Sequence, residues 1–196
     1  MSEIILASAS PRRRELLNIA GLDFGIVVAD VDESAVATDV PTDIYVQELA
    51  LLKATATAKK ILDKKNALVI AADTVVVYDG KILGKPTDED DAEKMLKMLS
   101  GNVHQVYTGF CVLRMSDAKT VCKSVCTNVR MRELSEEKIC AYINTGEPMD
   151  KAGSYGIQGL GSLLTDGIDG DYFNVVGLPL GELCRVLEDE FDLQIM

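Results

Sequence analysis

Three consecutive arginines, Arg12–Arg14, stand near the start of the chain, directly after Ser10 and Pro11. Serine is a favourable helix N-cap and proline suits the first helical position, so the pattern predicts arginines in the first turn of a helix. The helix dipole already places partial positive charge at that end, which makes cations unfavourable there. A bound anion would remove the conflict, because the hydroxyls of Ser8 and Ser10, free backbone N–H groups and guanidinium groups together are typical of a phosphate site. The alternative is a solvated basic face, which explains Arg14 well.

Asp73 is a second candidate, because it directly follows the apolar run of residues 67–72, which predicts a strand buried on both faces. Ligands of open α/β sheets collect outside the carboxyl ends of strands, so a carboxylate at this position suits catalysis or metal binding. The Asp79-Gly80 pair predicts a two-residue hairpin turn, and counting outward from it pairs Lys85 with Thr74, beside Asp73. Asp73 alone is also consistent with a turn cap, and Lys85 with either an ion pair or a phosphate contact.

Lys53, Glu33 and Gln158 are weaker candidates when each is taken alone. Lys53 continues the apolar stripe of a helix predicted from Thr42 to about Leu62, so its side chain either reaches along the helix to solvent or points into a cleft. Glu33 follows the second predicted strand, and that position does not decide its role. Gln158 lies among clustered glycines, where its amide can match the edge of uracil or thymine, although glycines that simply turn the chain explain the stretch equally well.

The elements that must position these residues alternate between helices and strands. Periodicity, N-caps and turn residues, among them Thr87 with Asp90 and Ser135 as helix starts, set their boundaries. Strands are predicted at 4–7, 24–31, 67–72, 75–78, 81–83, 103–113, 120–131 and 172–176, and helices at 11–20, 42–62, 87–100, 135–145 and 179–190. Parallel and hairpin-linked strands mixed with helices predict an α/β fold with a mixed sheet. One domain is expected at this length, and it can be built as two lobes flanking a cleft.

Charge and cysteine content narrow the classes of function. The net charge of -11 argues against sequence-independent binding of nucleic acid, whereas a small anionic ligand remains possible at a local positive cluster. The five cysteines are scattered and lack zinc-site spacing, so we expect buried thiols in a reducing compartment. With neither a basic leader nor a long apolar run, the chain is expected to be cytoplasmic and without membrane contact.

Several familiar catalytic patterns do not fit the sequence. Gly84-Lys85 lacks the earlier glycine of a Walker phosphate loop, and Gly159-Leu160-Gly161 lacks the third glycine of a dinucleotide site. His104 is the one histidine and falls in a predicted strand. A histidine-based metal site and a Ser–His–acid triad are therefore not expected.

Taken together, six segments of the chain resemble the Maf-like nucleoside triphosphate pyrophosphatases, once described as septum formation inhibitors. The resemblance covers almost the whole chain in order. Its motifs are Leu6–Arg13, Ala71–Val75, Gly84–Pro86, His104–Thr108, Glu147–Gly153 and Gly177–Pro179. The stretch from Lys151 to Gly159 is similar to the branch of the family that prefers dTTP and UTP.

The resemblance implies a fold, a reaction and a site. The expected fold is a single Maf-like domain, residues 1–196, in which a mixed central β-sheet flanked by helices forms two lobes around a nucleotide-binding cleft, as in Maf-like and ITPase-like proteins. The expected reaction cuts the bond between the α and β phosphates, with Asp73 as proton acceptor, and serves to remove noncanonical nucleotides. Specificity positions fall on Arg12, Thr74 and Gln158. Ser8, Arg13, Glu33, Lys53 and Lys85 match the polar cleft of the family, and a homodimer is possible.

A mechanism consistent with these residues needs a divalent metal. Arg12, Arg13, Lys53 and Lys85 would hold the triphosphate and spread the charge of the departing pyrophosphate. Mg²⁺ or Mn²⁺ would bind phosphate oxygens together with Glu33 or Asp73, and Asp73 would deprotonate water directly or through the metal. Two alternatives stay open: a nucleotide-binding regulator of cell division without significant catalysis, and a pyrophosphatase that prefers methylated guanosine or purine triphosphates.

Overall fold

The computed structural model describes residues 3–28 and 30–195. Within those residues the chain alternates strands with helices and adds short 3₁₀ turns at Glu33–Ala35, Glu147–Asp150, Ala152–Ser154 and Gly159–Leu164. The strands are β1 Ile4–Leu6, β2 Phe24–Ile26, β3 Leu68–Tyr78, β4 Lys81–Leu83, β5 Val103–Arg114, β6 Thr120–Met131 and β7 Thr165–Asp169. The helices are α1 Pro11–Ile19, α2 Thr42–Lys60, α3 Glu89–Leu99, α4 Glu136–Ile143, α5 Tyr172–Val176 and α6 Leu180–Phe191.

The strands form one mixed sheet in the order β2-β1-β3-β5-β6-β7, with β4 paired to β3. Strand β1 runs parallel to both β2 and β3, whereas β4 is antiparallel to β3 and β7 is antiparallel to β6. Helices flank this sheet. The α/β class with a mixed central sheet, predicted from the sequence, is confirmed.

The chain divides into two compact units, each with its own apolar core. The first unit consists of Met1–Asp73, Thr108–Val125 and Gly177–Met196, and the second of Thr74–Tyr107 and Cys126–Val176. Buried residues of β1, α2, β3 and β5 form the core of the first unit, among them Ile5, Ala50, Ala54, Val69 and Cys111. Buried residues of β3, α3, β6 and α4 contribute to the core of the second, among them Val76, Leu96, Met131 and Ile139. The assignment of residues 1–196 to a single domain stays a prediction.

Strand β3 differs from the prediction because it does not end before Asp73. It runs without interruption from Leu68 to Tyr78, and Asp73 lies near its middle. The strand changes neighbours along its length: β1 pairs with it up to Leu6↔Ile70, and β4 pairs with it from Val76↔Leu83 onward. The polar Asp73-Thr74 pair interrupts the buried pattern and therefore resembled a strand end in the sequence.

The predicted strand at residues 172–176 is wrong, since these residues form helix α5. The carboxylate of Asp171 accepts hydrogen bonds from the backbone N–H groups of Phe173 at 2.8 Å and Asn174 at 3.3 Å, which is the work of a helix cap. This local cap outweighs the strand preference of the aromatic and β-branched residues in the segment. Strand β7, in turn, was not predicted, because its glycine-containing sequence looked irregular and only the pairing with β6 defines it.

The starts of the predicted helices agree with the structure to within two residues. Ser135 caps α4 as predicted, by accepting a hydrogen bond from the N–H of Lys138 at 3.3 Å. The cap of α3 is Asp88 rather than Thr87, because the Asp88 carboxylate accepts from Asp91 N–H at 2.8 Å. No helix in the described ranges is long and apolar enough to cross a membrane.

The cysteines only partly match the expectation of buried thiols. All five are free thiols, and Cys111 is buried, but Cys126 and Cys140 are exposed. Cys126 lies in β6 and Cys140 in α4. Strands and helices both have one face toward solvent, and these two cysteines lie on that face.

Candidate active site

Lys53 joins two carboxylates that are far apart in the sequence. Its Nζ lies 2.5 Å from Oδ1 of Asp73 and 2.7 Å from Oε1 of Glu33, and we call these three residues the charged cluster. The Lys53 and Asp73 side chains are only 16% and 13% exposed, whereas Glu33 is 54% exposed. Of the two predicted orientations of Lys53, the one directed to open solvent is therefore excluded. The three side chains carry two negative charges and one positive charge, so the cluster by itself has a net negative charge.

The surrounding elements explain why the charged cluster forms at this place. Lys53 lies in α2 next to buried Ala54, whose helix face packs on the core of the first unit. Asp73 lies three residues beyond Ile70, the last β3 residue that pairs with β1. Asp73 thus extends past the carboxyl end of a neighbouring parallel strand, which is where ligands collect in α/β sheets. The sequence predicted Asp73 directly after the end of its own strand. In the structure Asp73 lies within β3 and beyond the carboxyl end of the neighbouring strand β1.

Glu33 comes from a short turn and not directly from a strand end. Strand β2 stops at Ile26, and Glu33 begins the 3₁₀ turn Glu33–Ala35. The carboxylate of Asp32 caps this turn by accepting from the Ser34 N–H at 3.0 Å. The turn is what directs an exposed glutamate toward the ammonium of Lys53.

The arginine helix forms as predicted, with Ser10 as its cap. Ser10 Oγ accepts from the Arg13 N–H at 3.4 Å, and the side chain of Arg13 donates to the Gly177 carbonyl at 2.8 Å and to Ser8 Oγ at 3.2 Å. Ser8 Oγ also accepts from the N–H of Ser10 at 3.2 Å. Arg14 instead donates to the Ala9 carbonyl at 3.1 Å in an exposed hydrogen bond. This contact fits the alternative in which Arg14 belongs to a solvated basic face.

Electrostatics connect the arginine helix with the charged cluster. Burial lowers the pKa of the Arg13 guanidinium below its ordinary value, and the charge of Arg12 acts in the same direction. The carboxylates of Asp73 and Glu33 oppose this shift in the pKa of Arg13, so they lie within electrostatic reach of it. The first unit therefore brings together Ser8, Arg12, Arg13, Glu33, Lys53 and Asp73, six of the residues proposed from the sequence.

Tyr45 is a polar neighbour of the charged cluster that was missed in the sequence. Burial raises the pKa of its phenol, the charges of Asp73 and Glu33 raise it further, and Lys53 opposes them. The hydroxyl therefore stays protonated at neutral pH and is available as a donor. Tyr45 stands eight residues before Lys53 in α2, a helical spacing that places both on one face and that the sequence already contained.

Thr74, Lys85 and Gln158 belong to the second unit. Thr74 follows Asp73 in β3 and is partly buried, Lys85 is exposed just after β4, and Gln158 is partly buried. The hairpin turn and its first pairs are as predicted, but the ladder between β3 and β4 ends at Val76↔Leu83, so the pairing of Lys85 with Thr74 does not form. The Gly84 carbonyl instead accepts from the Gly153 N–H at 3.0 Å, which takes this segment out of the ladder.

The carboxylates of the charged cluster fit a divalent cation only in part. Within the part of the chain that the structure describes, no three His, Cys, Asp or Glu side chains form a ligand group. Asp73 and Glu33 supply two hard oxygen donors that converge on one ammonium. Mg²⁺ commonly binds through one or two carboxylates and takes its other ligands from water and substrate phosphates. The pair therefore fits Mg²⁺ or Mn²⁺ in the presence of a phosphorylated substrate.

Comparison with known proteins gives consistent matches along the whole chain. The family model described as Maf-like protein matches residues 3–190. The chain is 54% identical over 187 residues to a dTTP/UTP pyrophosphatase of Clostridium novyi (strain NT), covering 95% of this chain and 97% of that protein. It is 50% identical over 195 residues to a dTTP/UTP pyrophosphatase of Bacillus cereus (strain G9842), covering 100% of this chain and 98% of that protein.

A solved structure supports the fold. A HAM1 protein from Coxiella burnetii superposes with a TM-score of 0.53 at 17% sequence identity, over 96% of this chain and 100% of that chain. At this identity the likeness concerns the fold alone. It agrees with the mixed sheet flanked by helices.

Proposed function

Because the chain belongs to the Maf-like protein family, we propose that it hydrolyses dTTP and UTP to the nucleoside monophosphate and pyrophosphate. The observation that carries this proposal is the charged cluster, in which a largely buried Asp73 lies against Lys53 beyond the carboxyl end of a parallel strand. Relatives that are 48% to 54% identical to this chain are named dTTP/UTP pyrophosphatase. A housecleaning role toward noncanonical pyrimidine nucleotides belongs to the same proposal.

Asp73 is the proposed proton acceptor. It orients a water molecule and takes its proton as the bond between the α and β phosphates is hydrolysed. Lys53 supports this role by geometry, since its Nζ lies 2.5 Å from Oδ1 of Asp73 and holds the carboxylate in place. The water oxygen forms a bond to the α phosphorus, the bond from that phosphorus to the bridging oxygen breaks, and pyrophosphate leaves with the bridging oxygen.

Positive groups of the first unit are proposed to bind the phosphates. Arg12, Arg13 and Lys53 carry the positive charge, and Ser8, which accepts from Arg13, fixes one guanidinium in place. Such groups stabilise the negative charge that grows on the departing pyrophosphate. Lys85 is proposed to add a further positive charge.

Asp73 and Glu33 are the residues that would hold Mg²⁺ or Mn²⁺. When bound, the cation would neutralise phosphate charge and help to polarise the bond that is cut. Lys53 already neutralises part of the charge on both carboxylates, so it competes with the cation for them.

Substrate specificity is assigned to Arg12, Thr74 and Gln158. The Gln158 amide has one acceptor and two donor hydrogens, and so it can pair with the carbonyl and ring N–H that uracil and thymine share. A cytoplasmic location and a homodimer stay predictions from the sequence.

The direct test is pyrophosphate release from dTTP, UTP, CTP, GTP and methylated nucleotides, each with and without Mg²⁺ or Mn²⁺. We expect dTTP and UTP to be the best substrates and the release to require the cation. Dominant turnover of a guanine nucleotide would overturn the assignment of Gln158. Nucleotide binding without release would identify a regulator instead of an enzyme.

A further inference from the structure

Glu147 is the centre of a hydrogen-bonded loop in the second unit. Its Oε1 accepts from the hydroxyl of Tyr142 and from the N–H of Gly161, both at 3.0 Å, and its Oε2 accepts from the N–H of Leu160 at 3.1 Å. One carboxylate therefore takes up three donors, two of them from the backbone. Hydrogen bonds to an ionised acceptor are stronger than neutral ones, so Glu147 fixes this backbone firmly.

Tyr142 extends the network to the other side of the loop. Its hydroxyl donates to Glu147 and accepts from the Gly156 N–H at 3.2 Å. Tyr142 is 4% exposed, and burial raises the pKa of its phenol, so the hydroxyl keeps the proton that it donates to Glu147. The chain is thus held at Gly156 and again at Leu160, two residues on either side of Gln158.

Glycine at two positions is required by the close approach of the loop to these side chains. At Gly161 a Cβ atom would lie 2.1 Å from the Gly156 carbonyl oxygen and 2.7 Å from the Tyr142 hydroxyl. Gly159 has a φ of +63°, and a Cβ there would lie 3.0 Å from Oε2 of Glu147. Gly161 is therefore needed for the close approach to Tyr142, and Gly159 for the close approach to Glu147. A role in turning the chain would not by itself require these contacts.

The side chain of Gln158 does not cap the turn that follows it. Gln158 precedes the 3₁₀ turn Gly159–Leu164, and within the described residues its side chain forms no capping hydrogen bond with that turn. The backbone on both sides of Gln158 is held by hydrogen bonds at Gly156 and Leu160, while its amide takes no part in capping the turn. Ligand-binding groups are most effective when the surrounding structure orients them in advance.

We propose that Glu147, together with Tyr142, is a positioning residue that orients Gln158 for recognition of the pyrimidine base. The proposal rests on the proposed function, in which Gln158 contacts uracil or thymine. Glu147 itself does not touch the nucleotide. Its effect reaches the base through the backbone N–H groups of Leu160 and Gly161 and through the Tyr142 hydroxyl.

The test is a double-mutant cycle on kcat/KM for dTTP and dGTP, with Gln158→Ala, Glu147→Gln and the double variant. Gln158→Ala is expected to lower kcat/KM for dTTP roughly 10- to 100-fold and to change dGTP turnover little. Glu147→Gln, which turns an N–H donor toward backbone donors, should lower the dTTP to dGTP ratio in the same way, mainly through KM. In the double variant the two losses should not multiply, because both remove the same interaction.

Tyr142→Phe is a milder second variant, because it removes only the bridging hydroxyl, and it should give a smaller loss of the same ratio. Glu133→Gln, an exposed glutamate of the second unit, and Tyr172→Phe, an exposed tyrosine, are matched controls expected to leave the ratio unchanged. Melting temperatures of all variants separate loss of recognition from loss of the fold.

The outcomes separate the two proposals. If wild-type enzyme does not prefer dTTP, or Gln158→Ala keeps that preference, the proposed function of Gln158 is overturned and the inference with it. If Gln158→Ala removes the preference but Glu147→Gln and Tyr142→Phe lower both substrates equally, or the losses multiply in the double variant, only the positioning role is overturned. A collapsed ratio with non-multiplying losses supports it.

Discussion

The charged cluster of the first unit and the Glu147 loop of the second unit use carboxylates in opposite ways. Asp73 and Glu33 both face one ammonium, which is a side chain from a distant helix. Glu147 faces two backbone N–H groups and one phenol, all from residues 142–161. The charged cluster is held by ion pairs between side chains, whereas the Glu147 loop is held by hydrogen bonds between a side chain and the backbone.

Because of this difference, we expect substitutions in the two regions to have different effects. An ion pair between side chains can lose a charge while the backbone keeps its course, since the partners belong to elements that the core holds independently. A carboxylate bound to backbone N–H groups cannot change without moving the loop. Charge variants of the cluster should therefore alter turnover, and variants of the loop should alter stability and base preference.

The strongest test of the cluster is Asp73→Asn, which keeps the shape of the side chain but removes the base. We expect kcat for dTTP to fall roughly 10³-fold while dTTP binding is retained. Pyrophosphate release and calorimetric titration with dTTP measure the two quantities. Asp79→Asn, in the hairpin turn where asparagine tolerates the positive φ, is the matched control with normal kcat. Near-normal turnover of Asp73→Asn would remove Asp73 from the chemistry.

The loop is tested by Gly161→Ala. The added methyl group collides with the Gly156 carbonyl, so we expect the free energy of unfolding to fall by about 3 kcal/mol. Urea denaturation gives this value. Gly181→Ala, near the start of α6 with open space around its Cβ position, should be neutral or slightly stabilising. Equal stability of both variants would contradict the tight packing of the loop.

Lys53→Met sharpens the comparison by removing the one positive charge of the cluster. We expect kcat for dTTP to fall about 100-fold, because a phosphate-binding group is lost. The Mn²⁺ concentration needed for half-maximal activity should fall as well, since the ammonium no longer competes for Asp73 and Glu33. Lys59→Met, an exposed lysine of the same helix, is the control. An unchanged metal requirement would argue against a cation on these carboxylates.

A smaller effect concerns pH and the second unit. His104 Nε2 lies 2.6 Å from the hydroxyl of Tyr155, and burial lowers the pKa of His104 to about 4, below its ordinary value of 6.5. The unfolded chain therefore takes up the proton first, and stability that is present above pH 6.5 is lost as the pH falls toward 4. From pH 7 to pH 5 we expect a loss of about 2 kcal/mol from this residue.

The measurement is the free energy of unfolding in urea at the two pH values. His104→Gln cannot take up this proton but keeps an amide that can bond Tyr155, so it should lack this component of the pH dependence. The same pH dependence in wild type and variant would show that other groups are responsible.

Much of the local structure was accessible from the sequence. Ser10 and Pro11 marked the start of α1, Asp79-Gly80 marked the hairpin, and the continuous apolar run before Asp73 marked a buried strand. Each of these patterns is decided by neighbours within a few residues, because caps and turns depend on local backbone geometry. The family resemblance added the roles expected of the candidate residues.

The strands where prediction failed depend on distant partners. Strand β7 is defined by its pairing with β6, and β3 continues past Asp73, where β4 pairs with it after β1 has ended. Helix α5 differs from the strands, because its cap, Asp171, lies directly before it in the sequence and outweighs the strand preference of its residues. None of these pairings has a periodic pattern that a single segment would reveal.

The sequence by itself determined which residues carry charge, where helices and turns begin, and which family the chain resembles. The tertiary structure alone decided that Lys53 contacts Asp73 and Glu33. It also decided that the backbone N–H groups of Leu160 and Gly161 donate to Glu147. The physical reason is that a side chain's type and its local backbone preference are fixed by its neighbours in sequence. Its partner is fixed by strand pairing and core packing, which bring residues 33, 53 and 73 together only when the whole unit folds.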